Sequence, residues 1–182
     1  MVIDYNRKMQ FPTNDNFVCR VTLAEFVEAK SSGNPQIHMK FEVQSPSEVE
    51  IAGKQVNISG VEVDRYYPVT CLKEKDGEID ADKTAAARER MAELYEQLGL
   101  DFSKFDPANP DVKSMQGKVV LCAMSCGSEP QRKTPTAEQA AKGQRQGDIM
   151  VNPVTGKQMV YFKPFISEIF GLAPAQTGGA SY

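Results

Sequence analysis

Residues 29–43 read AKSSGNPQIHMKFEV. Lys30-Ser31-Ser32-Gly33-Asn34-Pro35 is a turn cluster, because Ser, Gly, Asn and Pro each favour turn geometry for a local backbone reason. After it, Ile37, Met39, Phe41 and Val43 alternate with His38, Lys40 and Glu42. A period of two puts one side of the segment in a core and leaves the other wet. Upstream, Phe17, Cys19, Val21 and Leu23 alternate with Val18, Arg20, Thr22 and Ala24. Two half-buried strands about a turn predict a hairpin over 17–44. Its outer face is expected to carry Arg20, Thr22, His38 and Lys40, with no acid among the four. Such a polar, basic face either lies in solvent or receives a polyanion.

The chain has 182 residues, 41% hydrophobic and 25% charged, so a globular domain with a real core is expected. No run is long and apolar enough for a membrane helix, and the start lacks the apolar stretch of a secretory signal. Cys19, Cys71, Cys122 and Cys126 are too few for a disulfide scaffold, so reduced thiols and a cytoplasmic location are expected. The net charge is −3, but it is uneven: residues 1–111 hold 13 basic and 20 acidic side chains, and residues 112–182 hold 8 and 4. Opposite charges can occupy different faces of one fold, so an acidic protein can still carry a basic face.

In chain order, 1–16 reads as an irregular N-terminal arm. After the first hairpin come a small one about Gly53 and a Val-, Tyr- and Thr-rich strand region over 60–72, where Pro68 belongs at an edge or bulge. A helix is predicted from Asp80 to Leu98. Asp80 and Asp82 favour its N-terminus, Ala87, Met91, Leu94 and Leu98 form one apolar stripe, and Gly99 ends it. Phe102 and Phe105 anchor the loop that follows. Residues 117–124 read as a buried strand. The stretch 127–146 is polar and rich in Pro, Gly, Gln and Lys, which predicts a long flexible loop. A last hairpin spans 149–162, then 163–170 continues as strand or short helix, and 171–182 is read as a flexible tail.

Signals for catalysis are thin. Gly-Lys pairs at 53–54, 117–118 and 156–157 lack the context of a phosphate loop. His38 has no nucleophile near it in sequence. Cys122 and Cys126, with Cys71 and His38, follow no regular zinc spacing. Asp111-Val112-Lys113 has no matching acid to complete a metal-dependent nuclease site. No catalysis, metal or cofactor is expected. The aromatic residues say more. Tyr66-Tyr67 and Tyr161-Phe162 are adjacent pairs in strands, so each places one ring on each face. Arg65 and Lys163 lie beside them. Exposed rings among bases suit single-stranded nucleic acid, where every base offers a stacking face and every nucleotide a phosphate.

The order is therefore mainly β: five main strands, one helix between the third and fourth, and a long loop between the fourth and fifth. That order predicts a five-stranded OB-like Greek-key barrel over 17–170. The pattern resembles bacteriophage single-stranded DNA-binding proteins. The resemblance lies in the first strand with Ala29-Lys30-Ser31-Ser32-Gly33-Asn34-Pro35 and Ile37-His38-Met39-Lys40-Phe41. It continues in Tyr95-Glu96-Gln97-Leu98-Gly99-Leu100 and in Met115-Gln116-Gly117-Lys118-Val119-Val120. It implies a sequence-tolerant, non-catalytic DNA-coating protein of replication or recombination, in the host cytoplasm if phage-encoded. The expected DNA contacts are Arg20, His38, Lys40, Arg65, Tyr66, Tyr67, Arg132, Lys133, Lys142, Arg145, Lys157, Tyr161, Phe162 and Lys163, with the 127–146 loop closing over the strand. The expected partner is single-stranded DNA and not a membrane; replication or recombination proteins and a second copy of the chain are left open. Residues 173–182 hold no acid, unlike the acidic tails of many replication-type binders, so recruitment through the tail is not expected. Two other readings differ in class: a β-rich interaction or virion assembly protein without nucleic-acid binding, and a metal-dependent nuclease.

Overall fold

A computed structural model of the protein describes residues 9–10, 16–51, 53–73, 77–144 and 146–174, without the side chains at 9, 10, 51, 126, 128, 161 and 162. It is mainly β, with 43% strand and two helices. In chain order the elements are β1 (Met9–Gln10), β2 (Phe17–Glu28), β3 (Pro35–Ser45), β4 (Glu48–Ile51), β5 (Lys54–Asn57), β6 (Glu62–Pro68), α1 (Ala81–Gln97), β7 (Val119–Pro130), α2 (Ala137–Ala141) and β8 (Val160–Leu172). The chain divides into two units, 11–124 with 166–182 and 1–10 with 125–165.

The larger unit is a curled, five-stranded antiparallel half-barrel sheet. Its strands lie in the order β6-β3-β2-β7, and β8 pairs with β7. The register aligns Val21, Phe41 and Val63 in one row and Val43, Cys19 and Val120 in another. All six are buried, so the period-two pattern of β3 is realised as a core-facing row across the sheet. The prediction for β2 holds only as far as Val21. Val21 pairs with Phe41, but Leu23 pairs with Lys40, so Thr22 is the extra residue of a β-bulge. One extra residue reverses every later side chain. Ala24 is therefore buried and Leu23 half-exposed, the reverse of the expected alternation.

α1 begins and ends as its sequence predicts. Asp80 accepts a hydrogen bond from the Lys83 backbone N–H at 3.1 Å, and Gly99 takes φ 64° just beyond the last turn, a conformation that favours glycine. The stripe of Ala87, Met91, Leu94 and Leu98 is buried, and α1 packs on β6. Thr84, also buried, accepts from the Cys71 backbone N–H at 3.0 Å. Tyr95, Phe102 and Phe105 form a ring cluster with centroids 5.2–5.6 Å apart. The small hairpin about Gly53 is β4 and β5.

The smaller unit holds β1, paired to β7 at Ser125 and Cys126, so part of the expected irregular arm is a strand. The stretch 127–146 is not structureless either. β7 continues to Pro130, and α2 is closed by a capping box between Thr136 and Gln139. Such a box satisfies two backbone donors reciprocally, which lets even one turn form in a polar stretch. Gly147 is buried here, and a side chain at that position would meet the Lys133 carbonyl oxygen at 2.7 Å. The last hairpin survives as the bridge Val151–Gln158. Residues 163–172 are strand, part of β8. Among the described residues, no helix is long and apolar enough to cross a membrane.

Candidate nucleic-acid interface

β6 presents a different set of groups on each of its faces. Val63 is buried, and alternation from it sends Arg65 and Tyr67 to the same side and Asp64 and Tyr66 to the other. Tyr66 is 56% exposed. Its ring stacks on His38 of β3, centroids 4.6 Å apart and planes within 8°. His38 Nδ1 lies 2.8 Å from Glu25 Oε1, and His38 Nε2 lies 2.6 Å from Asp64 Oδ1. Burial pulls the imidazole pKa down, but the hydrogen bonds to Glu25 and Asp64 and the charges of both outweigh it. The net shift is upward from 6.5.

The expected polar, basic face also carries carboxylates beyond the four residues first assigned to it. Lys40 pairs with Glu62 at 3.3 Å, and that hydrogen bond raises its pKa. Arg20 is exposed and stands opposite Glu42 in the register. Glu25 reaches the face because the Thr22 bulge reversed β2; Glu62 and Asp64 come from β6. The cations on this face thus stand among carboxylates, and the acid outnumbers them.

The other side of β6 opens on a cleft of about 350 Å³ within the larger unit. Arg65, Tyr66 and Tyr67 line it from β6, Ala87, Arg90, Glu93 and Gln97 from α1, and Ser167, Glu168 and Ile169 from β8. The Arg65 guanidinium lies 5.2 Å from the centre of the Tyr67 ring, within cation–π range. The Tyr67 hydroxyl is buried with no hydrogen-bond partner among the described residues. Its pKa is pushed up to about 12 by burial, against the opposing charge of Arg65. Neither Arg65 nor Arg90 forms an ion pair with a described carboxylate, although Glu93 and Glu168 line the same cleft. Arg65 and Arg90 line the cleft while the Tyr66 side chain leaves β6 on the opposite face, so a strand that crosses β6 can set a base on Tyr66 and a phosphate against the guanidiniums.

Of the residues named from sequence, Arg65, Tyr66 and Tyr67 line this cleft, and His38 and Lys40 lie on the opposite face with Asp64 and the Tyr66 ring. Arg20 stands apart on β2 of the larger unit, and the others on hand belong to the smaller unit. There Lys142 pairs with Glu138 at 2.7 Å and Lys163 with Glu129 at 3.2 Å. Arg132 donates to the Gly147 carbonyl at 3.3 Å, and Lys133 and Lys157 are exposed. Arg145 and the side chains of Tyr161 and Phe162 lie outside the described residues, as does any stacking by that pair. Sequence reasoning missed Arg90. The signal was available: Ala87, Arg90, Glu93 and Gln97 are spaced by 3, 3 and 4, a helical stripe beside the core stripe. It also missed Glu25, which no periodic reading places outward.

No family model matches the chain, and no curated protein or solved structure matches it significantly. The functional reading therefore rests on the residues themselves.

Proposed function

We propose that the protein binds single-stranded DNA without sequence preference and without catalysis, as a phage replication or recombination protein of the host cytoplasm. The observation that carries the reading is Tyr66, an aromatic ring 56% exposed at the rim of a cleft that Arg65 and Arg90 line. A base stacks on Tyr66, and the strand passes around β6, the last strand in the sheet order, to lay flanking phosphates against Arg65 and Arg90. Stacking tolerates any base, and guanidinium contacts read only the backbone. His38 and Lys40 support this site rather than hold phosphates, since carboxylates already occupy their donors.

The strand order favours an OB-like barrel. Numbering the main strands one to five, the larger unit runs three-two-one-four, with five paired to four. An OB barrel has this order and binds oligonucleotides on the face of its second and third strands, which are β3 and β6 here. A virion or interaction role has one observation of its own: Phe170 and Leu172 at the end of β8 are 51% and 45% exposed. Fluorescence anisotropy with labelled oligo-dT and with duplex of equal length separates the readings. Single-strand preference without cleavage is expected. Absence of binding to either supports assembly, and magnesium-dependent cleavage supports a nuclease.

A further inference from the structure

His38 is the chain's single histidine, and its surroundings ask for two protons on the ring. An ionised carboxylate only accepts hydrogen bonds, whereas a neutral imidazole donates from one nitrogen alone. Glu25 and Asp64 stand at 2.8 and 2.6 Å from the two ring nitrogens, so only the imidazolium satisfies both. The two acids come from strands on either side of β3, and between them they fix the ring plane on which Tyr66 lies. The charged groups facing His38 are Glu25 from β2, Lys40 along β3, and Glu62 and Asp64 from β6. Lys40 is tied to Glu62, which leaves His38 as the counter-charge of Glu25 and Asp64.

We propose that His38 is a proton-gated positioning residue: as imidazolium it holds Tyr66 as a stacking platform, and its deprotonation releases that platform and weakens single-strand binding. Loss of the proton leaves one carboxylate against a nitrogen lone pair, so that side of the clamp opens and the face becomes one charge more negative. The hydrogen bonds to Glu25 and Asp64 place the change above pH 6.5, the ordinary histidine value. The effect on DNA rests on the single-strand reading above; the clamp itself does not.

A proton NMR titration of the free protein follows one histidine without ambiguity. The expected midpoint lies above 6.5, the Tyr66 ring resonances move with the same midpoint, and Asp64→Asn lowers both together. In parallel, oligo-dT affinity is measured on either side of that midpoint. It is expected to fall about fivefold as pH rises, the low end of what one base–aromatic stack contributes, and to be pH-independent in His38→Gln. Thermal stability of each variant is recorded alongside. A midpoint at or below the ordinary value overturns the proposal, as do Tyr66 resonances that ignore the histidine titration. So does native binding that is unchanged across the midpoint. Failure of oligo-dT to bind at any pH overturns the single-strand reading instead, and the two midpoints in the free protein still decide the clamp.

Discussion

Tyr66→Ala separates the proposed stacking role from ordinary packing. An aromatic side chain buries about 150–250 Å² when fully enclosed. With 56% of Tyr66 exposed, roughly 65–110 Å² is covered, which at ~25 cal/mol per Å² caps the folding cost near ~3 kcal/mol. The binding cost is expected to be about 1–3 kcal/mol, roughly 5- to 150-fold in affinity, the range for one base–aromatic stack. Tyr66→Phe keeps the ring and is expected to keep the affinity. Tyr67→Ala is the contrast: that ring lies on the inner side with its hydroxyl buried, so its truncation is expected to cost about 3–5 kcal/mol of stability. The assay is oligo-dT anisotropy over a salt series, with thermal melts of each variant. The salt slope of Tyr66→Ala should match that of the native chain, because no phosphate contact is lost. A folded Tyr66→Ala protein that binds within twofold of native would refute the stacking assignment.

The other expectations concern charge, the helix and the smaller unit. Arg65→Ala and Arg90→Ala are each expected to flatten the log K against log salt slope by about 0.7, one single-strand phosphate contact. Lys40→Ala is expected to leave that slope nearly unchanged, because Glu62 already engages the ammonium at 3.3 Å. Leu98→Ala, at the fully buried residue that caps the C-terminus of α1, should cost about 2–5 kcal/mol in a denaturant melt. The Asp80 carboxyl is held below its ordinary value by the Lys83 backbone N–H. Its contribution is thus complete above the unfolded value and lost as pH falls through the folded one. Native-chain melts should therefore lose more stability on acidification than melts of Asp80→Asn. Trypsin is expected to cut the free protein first at Lys133 or Lys142, both exposed. Slower cutting with oligo-dT present would bring that stretch into the binding path, and equal rates would remove it.

Where one periodicity ran unbroken, the fold was legible. β3 alternates from Ile37 to Val43, and each apolar residue of that set is buried. α1 carries its own cap, stripe and terminal glycine, so its limits could be read to within a residue. β2 failed at Thr22, because Val21-Thr22-Leu23 are all strand formers and nothing in composition marks which one bulges. That single residue also decided the site, since it turned Glu25 outward to meet His38. A similar limit applied at β6. Alternation showed that Tyr66 and Tyr67 part ways but not which one faces out; Val63 decides it, and the charged Arg65 on the same inner side obscured the pattern. Composition gave no sign of α2 within 127–146, although Thr136 and Gln139 have the spacing of a capping box.

The central claim is that a base of single-stranded DNA rests on Tyr66. Photo-crosslinking tests it most directly, with oligo-dT carrying one 5-iodouracil and mass spectrometry to locate the adduct. The expected result is an adduct on Tyr66, which disappears when unlabelled oligo-dT competes and is absent in Tyr66→Ala. Adducts found only away from β6 and the cleft, formed equally well in Tyr66→Ala, would contradict the account.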